Sequence, residues 1–445
     1  MFKSLAFDDK KAQSLVTWAI KRPRVPRSVV IPLTYRHEPP SEIEAEERQQ
    51  VHAGQKIAAA TAADAITRHA PISGTVFRIG NYPHPWHGET LGIEIQSNGT
   101  DETAAHFPQL QGFKQDPFSF FQQMGIVDLN PEMEPLHVKM AAACKAGVET
   151  LIINGCDPEP YITSNYSLAM SHALEVLKGA EILRRVSGAR RLLLAFQKNQ
   201  MNVVELIRSK IYFLHWDHAE VVVHPSQYPN GLDALVLWDA LKTDAREIEE
   251  VQDRALLLNL ATAFAVYEAV ECGKPLLERV VTVGGECVVE AKNVWVPLGT
   301  SLEETFRFCG GLLRDPGRVL VNGPMTGEAQ STLAVPVLAG TAAVLALSKE
   351  VVGSGETLAC DRCARCIDVC PSKISPVEIV LAAERQQWDI ARNAGVGLCI
   401  ECAACAAICP SRIPMTSLIR SAKYAHHRSR FSRTPSPLHS EAFSI

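Results

Sequence analysis

The sequence lacks the long apolar stretch that a membrane-spanning helix needs. Such a helix takes about 18 or more apolar residues in a row, and the longest candidate, residues 333–347, is shorter and rich in Ala, Gly and Pro. The first residues also lack the apolar run of a signal peptide. We therefore expect no transmembrane segment, and at most a peripheral association with a membrane through a partner.

An excess of positive charge is missing as well. The chain has 44 Lys and Arg against 49 Asp and Glu, for a net charge of -5. This balance gives no electrostatic reason for a nucleic-acid partner, which we exclude. At 445 residues the chain is long enough for several domains of about 100 to 200 residues each.

Cysteine, in contrast, is abundant and unevenly placed. Eight of the 13 cysteines form two motifs of spacing C-x-x-C-x-x-C-x-x-x-C-P. In a large chain without a signal peptide, such groups indicate metal in a reducing compartment rather than disulfides. The spacing is that of bacterial ferredoxins, given twice, and it predicts two [4Fe-4S] clusters that carry electrons.

The fourth cysteine of each motif normally binds the cluster of the other motif. We therefore assign one cluster to Cys360, Cys363, Cys366 and Cys409, and the other to Cys399, Cys402, Cys405 and Cys370. The alternative is a scaffold with structural zinc, which wants four ligands around one ion and no third cysteine at the same step. The remaining cysteines, 144, 156, 272, 287 and 309, are scattered and are expected to be small buried side chains without a ligand role.

Patterns of apolar and turn residues predict a multi-domain α/β protein. Short alternating strands with Gly at the turns suggest a barrel-sandwich module, without a lysine at its tight turn to carry a prosthetic group. Strands that alternate with helices follow, including one long helix over residues 255–269, and then two strands and a helix typical of a β-grasp. The predicted segments are a basic lead-in (1–30), the barrel-sandwich (31–100), the α/β domain (115–275), the β-grasp (276–345), a helical ferredoxin-like domain (355–423) and a disordered tail (424–445).

With the cysteine motifs in place, several short segments resemble the RnfC (RsxC) family, in this order along the chain: 69–76 (HAPISGTV), 150–155 (TLIING), 159–161 (EPY), 228–231 (YPNG), 273–283 (GKPLLERVVTV), 296–300 (VPLGT), 322–327 (NGPMTG) and 335–337 (VPV). The resemblance implies a subunit on the cytoplasmic side of the inner membrane, bound to the other membrane subunits of an Rnf-type ion-translocating complex. It also implies a central domain like the flavin-bearing NADH subunit of respiratory complex I and a ligand-binding β-grasp (SLBB) module. Electrons would pass between NADH or ferredoxin and partner subunits by way of FMN and the two clusters.

The resemblance also implies flavin and nicotinamide contacts at Lys139, Asn154 and Glu159. The sequence departs from the family, however, where a glycine-rich loop cradles the flavin phosphate. Residues 128–136 read DLNPEMEPL, so the glycines are gone and three acidic residues stand where a phosphate would sit. Lys139, as a lone lysine, is expected to be a solvated surface charge.

Two forms of the protein therefore remain open: a flavin-bearing electron-transfer subunit, and a flavin-free iron-sulfur relay that takes electrons from a partner protein. The altered loop favours the second. A cobalamin-reductase-like relative is disfavoured, because such relatives keep the glycine loop and omit the N-terminal barrel.

Overall fold

The computed structural model describes residues 18–99, 116–353 and 355–431 of the chain. It divides into two compact units, one formed by most of the chain before Gly355 and the other chiefly by the residues from Gly355 onward. Most of the predicted lead-in (1–17) and of the predicted tail (432–445) lies outside the described residues. No described helix is long and apolar enough to cross a membrane.

The first unit begins with a β module built from two small antiparallel sheets, ordered β2-β8-β7-β4 and β3-β5-β6. Their inward-facing side chains form a common core that includes Ile57, Ile93 and Ile95, all fully buried. Gly74 has no room for a Cβ against the backbone of Gln96 in the neighbouring strand. This arrangement confirms the predicted barrel-sandwich. The strands, after β1 (Ile20–Lys21), are β2 (Ser28–Pro32), β3 (Glu42–Ile43), β4 (Gln50–Val51), β5 (Lys56–Ala59), β6 (Arg68–His69), β7 (Gly74–His84) and β8 (Gly88–Ser97).

The central domain has a four-stranded parallel sheet of order β11-β10-β9-β12. Apolar side chains cover both faces, as expected for a parallel sheet buried between helices. Because all strands run the same way, their carboxyl ends meet at one edge of the sheet. The elements are α1 (Pro117–Gln123), α2 (Leu136–Ala146), β9 (Thr150–Asn154), α3 (Ser164–Ser171), α4 (Ala173–Ser187), β10 (Arg191–Gln197), α5 (Met201–Phe213), β11 (Ala219–His224), α6 (Asp233–Leu241), α7 (Ile248–Val251), β12 (Ala255–Asn259) and α8 (Leu260–Cys272), with 3₁₀ turns at Lys198–Gln200 and Gln252–Arg254.

The prediction of one long helix over residues 255–269 is wrong. Ala255–Asn259 is strand β12, paired in parallel with β9, and α8 begins only at Leu260. A short apolar run fits a buried strand as well as a buried helix. The pairing with β9, more than 100 positions earlier in the chain, decides between them.

The β-grasp is built on a six-stranded sheet of order β1-β14-β13-β17-β15-β16. Ser301 caps the helix that crosses this sheet by accepting the backbone N–H of Glu304. Strand β1 pairs in parallel with β14, which corrects the prediction that residues 1–30 are only a lead-in. The elements are β13 (Glu278–Gly284), β14 (Lys292–Pro297), α9 (Leu302–Arg307), β15 (Arg318–Val321), β16 (Glu328–Gln330), β17 (Ala343–Leu347) and α10 (Lys349–Val352).

The second unit is helical and packs around a small apolar core that includes Ile379, Val396 and Ile419. The final helix runs to Phe431, which corrects the prediction of a disordered tail from residue 424. The helices are α11 (Arg365–Asp368), α12 (Pro376–Glu384), α13 (Trp388–Asn393), α14 (Ala404–Ala407) and α15 (Met415–Phe431), with a 3₁₀ turn at Val396–Leu398. The confirmed fold class is thus a multi-domain α/β protein with a helical ferredoxin-like part.

Candidate iron-sulfur and flavin sites

The two cysteine motifs repeat in backbone conformation as well as in sequence. Each cysteine of the first motif has a counterpart 39 residues later, from the pair Cys360 and Cys399 to the pair Cys370 and Cys409. The non-glycine residues with positive φ repeat at the same interval: Arg362 and Glu401 (both 56°), Ala364 (60°) and Ala403 (58°), and Lys373 (52°) and Arg412 (53°). Non-glycine residues rarely take this conformation. Its repetition shows that the two motifs share a backbone conformation although their residues differ.

The end of each motif lies beside the start of the other. The N–H of Leu358 donates to the carbonyl of Ser411 (2.9 Å), and the Ser411 hydroxyl donates to the carbonyl of Ala359 (2.9 Å). These bonds hold the segment before Cys360 against the segment after Cys409. In the other half, burial raises the pKa values of Cys399, Cys402 and Cys405, and the charge of nearby Cys370 adds to each rise.

The site has the donor set of an iron-sulfur centre. Burial, with the nearby thiolates adding to it, raises the pKa of Cys402 and of Cys405 to about 12. A group of positive charge is needed to hold such thiols as thiolates, and soft thiolate ligands suit iron-sulfur clusters. The residues present therefore fit two [4Fe-4S] clusters.

The cysteines outside the motifs are less uniform than expected. Cys156, Cys287 and Cys309 are buried, Cys144 is half-buried and Cys272 is exposed.

At the carboxyl edge of the parallel sheet, Lys139 is not the solvated charge that the sequence predicts. Its Nζ lies 2.7 Å from Oδ2 of Asp128, whose side chain is fully buried. Burial lowers the pKa of Lys139, but the neighbouring Asp128 charge outweighs it, so that the pKa is raised overall. The other oxygen of Asp128 accepts the backbone N–H of Asn259 (3.0 Å) and the hydroxyl of Thr262 (2.7 Å), at the N-terminus of α8.

Asn154 belongs to the same polar network. Its Nδ2 donates to Oδ1 of Asp233 (2.7 Å) and to the carbonyl of Gly231 (3.2 Å), while its Oδ1 accepts the N–H of Cys156 (3.0 Å). Burial, together with the charge of Asp128, raises the pKa of Asp233. Sequence reasoning missed Asp233, Asn259 and Thr262. Only Asn259 carries a local signal, because it follows an apolar strand and can cap a helix.

Glu159 is held by the β-grasp. Its carboxylate accepts the backbone N–H groups of Met325 (2.7 Å) and Thr326 (3.2 Å) and the Thr326 hydroxyl. Gly323 lies so close to this carboxylate that a side chain there would have no room. The carboxylate is therefore fully engaged within the protein.

Asp157, between these residues, is also buried and engaged. It accepts the N–H groups of Asn165 (3.0 Å) and Tyr166 (3.2 Å) at the start of α3 and the side-chain amide of Gln200 (3.1 Å). Burial raises its pKa to about 7.

The residues present do not fit FMN. A flavin phosphate needs a cation and free N–H or O–H donors at a helix N-terminus, and here Asp128 engages them. Asn154 and Glu159 likewise have protein partners at the polar atoms that a ligand would use. The structure therefore brings Lys139 and Asn154 into one hydrogen-bonded network, but the polar groups of this network bind one another rather than a ligand.

Comparison with known proteins gives four family matches that follow the order of the modules. They are an RnfC barrel sandwich hybrid domain (4–100), a Nuo51 FMN-binding domain (121–268), an SLBB domain (280–329) and a 4Fe-4S dicluster domain (355–412).

Curated relatives match over most of the chain. The C subunit of the ion-translocating oxidoreductase complex of Rhodobacter capsulatus is 33% identical over 353 residues, which is 78% of this chain and 67% of that protein. The C subunit of the proton-translocating ferredoxin:NAD(+) oxidoreductase complex of Clostridium ljungdahlii is 29% identical over 376 residues (83% and 81%). Its Na(+)-translocating counterpart from Acetobacterium woodii is 26% identical over 380 residues (82% and 83%). With the barrel-sandwich, the flavoprotein-like α/β domain, the SLBB module and the dicluster domain in this order, the chain belongs to the RnfC family, the C subunits of ion-translocating oxidoreductase complexes.

Proposed function

We propose that this chain is an electron-transfer subunit of a membrane-associated Rnf-type complex that couples electron transfer to ion translocation. The observation that carries the proposal is the pair of interlocked cysteine motifs in the second unit. Clusters held there supply one-electron carriers when bound. The chain's own part is to hold them at fixed places and to set their surroundings.

The interlocking supports two proposed ligand sets. One consists of Cys360, Cys363, Cys366 and Cys409, and the other of Cys399, Cys402, Cys405 and Cys370. Contact between the segments around Leu358 and Ser411 supports the first set, and the closeness of Cys370 to the second motif supports the other.

Residues around the second motif would tune its cluster. The N–H of Glu401 donates to Sγ of Cys399 (3.4 Å), and hydrogen bonds to sulfur are one means by which proteins set cluster potentials. The Glu401 carboxylate in turn holds Arg420 (2.9 Å) and Lys423 (2.8 Å) on α15. Burial raises the pKa of Cys399, and the positive charge of Lys423 opposes this rise.

The partners are inferred from the names of the relatives. Two of them are subunits of ferredoxin:NAD(+) oxidoreductase complexes that translocate protons or Na(+). We propose that this chain sits peripherally on the cytoplasmic side of the inner membrane, bound to the other subunits of such a complex, and that ferredoxin and NADH are the redox partners of the whole assembly.

The ligand assignment is tested by removing one motif and then each fourth cysteine. Replacing Cys360, Cys363 and Cys366 by Ala should leave about four irons of about eight, as one of two [4Fe-4S] clusters is lost. In that background, Cys370→Ala should remove the remaining cluster, and Cys409→Ala should leave it unchanged. Iron, acid-labile sulfide and the electron paramagnetic resonance of the reduced protein are the measurements. The reverse result would show that each motif binds its own fourth cysteine.

A further inference from the structure

The Asp128 carboxylate is bound as a ligand anion would be. Lys139 and the Asn130 amide donate to its Oδ2 (2.7 and 3.1 Å), and the Asn259 N–H and the Thr262 hydroxyl donate to its Oδ1 (3.0 and 2.7 Å). A carboxylate offers about four acceptor positions, so every one of them is in use. The side chain is fully buried.

From this arrangement we infer that Asp128 is a built-in substitute for the phosphate of FMN, and that the α/β domain of this chain does not take flavin. The matched domain family binds FMN. A lysine beside the N–H donors of a helix N-terminus is typical of a phosphate-binding site. A phosphate placed here would have to share Lys139 with Asp128. In a buried site of low dielectric the two anions repel strongly.

The rest of the sheet edge is closed by the chain's own segments. The 128–133 loop carries Asp128 and Asn130, the segment at 231–233 supplies Asp233 and the Gly231 carbonyl to Asn154, and the 323–326 loop holds Glu159. Gly231 itself lies so close to Gln197 that a Cβ would stand 2.9 Å from its side-chain amide. Three separate segments thus satisfy the polar groups that a flavin and a nicotinamide would contact.

This inference deepens the proposed function and rests on it for the direction of electron flow. NADH gives up a hydride, which carries two electrons, whereas each iron-sulfur cluster accepts one electron. Without a flavin to split the pair, NADH cannot reduce this chain. The electrons must come singly from the reduced centre of a partner redox protein, which is oxidised by one electron for each cluster reduced.

The first experiment uses the full chain purified without oxygen and loaded with iron. We expect about eight irons, no flavin after incubation with FMN, reduction of the clusters by dithionite and no reduction by NADH. Stoichiometric FMN, or cluster reduction by NADH, would overturn the inference and leave the proposed function intact. Absence of iron-sulfur clusters would instead overturn the proposed function.

The second experiment removes the Asp128 carboxylate from the proposed phosphate site. In Asp128→Ala, inorganic phosphate should raise the melting temperature by several degrees, because Lys139 and the helix N-terminus regain an anion. Wild type and Glu132→Ala, which removes an exposed acid of the same loop, should not respond. Asp128→Asn, which keeps the shape and removes the charge, serves if the alanine variant does not fold. An equal rise in melting temperature in wild type, or no rise in either Asp128 variant, would disprove the phosphate site.

Discussion

At the scale of single residues, the protein carries buried ionisable side chains whose hydrogen-bond partners are supplied by other elements of the fold. Asp128 accepts hydrogen bonds from Lys139 and from the start of α8, and Asp157 accepts them from the start of α3 and from Gln200. Such groups are costly to leave unpaired in a protein interior.

The Asp128–Lys139 pair should be strongly coupled. Lys139→Met leaves a buried carboxylate without its cation and should lower the free energy of unfolding by about 3 to 5 kcal/mol. Adding Asp128→Asn should recover most of this loss, as urea unfolding of the two variants and the double variant would measure. The exposed pair Lys56–Glu44 is the control, since Lys56→Met should cost no more than about 1 kcal/mol. Additive effects at Asp128 and Lys139 would contradict the coupling.

Asp157 should make the protein less stable as the pH rises. Burial raises its folded-state pKa from 3.8 to about 7, so that between these values the folded state holds a proton that the unfolded state has released. The free energy of unfolding therefore falls over this range, by a few kcal/mol at about 1.4 kcal/mol for each pKa unit. Urea unfolding at several pH values should show this slope in wild type and in Glu132→Gln, and a flatter one in Asp157→Asn. An unchanged slope in Asp157→Asn would assign the effect to other groups.

At the scale of elements, close approaches of backbone fix the packing around the sheet. Helix α4 crosses α8 at Gly179, where a Cβ would overlap the carbonyl of Ala263. The contact brings two long helices together on one face of the parallel sheet and so holds the N-terminus of α8, with Asn259 and Thr262, in place.

Gly179→Ala should therefore destabilise the α/β domain, although Ala favours helix by about 1 kcal/mol. Forcing the two helices apart should cost about 1 to 3 kcal/mol or more beyond that gain. Thermal unfolding followed by circular dichroism would measure it. As a control, Glu205→Ala, at an exposed position of α5 in the same domain, should change the stability by no more than about 0.5 kcal/mol. A gain of stability in Gly179→Ala would mean that the helices separate without strain.

At the scale of the whole molecule, the chain consists of a large unit with an extensive apolar core and a small unit with a modest one. Units of fewer than about 80 residues rarely hold together by apolar burial alone. We therefore expect the stability of the second unit to depend on the clusters that its cysteines would bind.

Removal of iron should unfold the second unit and leave the first intact. After treatment with an oxidant and chelator, limited proteolysis should cut beyond residue 355 and leave a resistant fragment of roughly the first 350 residues. The cluster-loaded protein should resist the same treatment. Equal resistance of the two forms would show that the second unit folds without its clusters.

The sequence by itself determined the fold class, and it predicts the cysteine ligands of the two clusters. Cysteine spacing is a local property, because cysteines three positions apart are the arrangement that ferredoxins use to bind one cluster. The alternation of strands and helices likewise follows from the local periodicity of apolar residues.

Only the tertiary structure decided the pairing of β1 with β14, the strand at Ala255–Asn259 and the fate of the flavin site. The sequence shows the acidic residues of the loop, but it does not show which groups they contact. Asp128 binds Lys139 together with Asn259 and Thr262, which lie more than 100 positions further along the chain. No local pattern reports such contacts, because the free energy of a buried charge depends on which groups the fold brings to it.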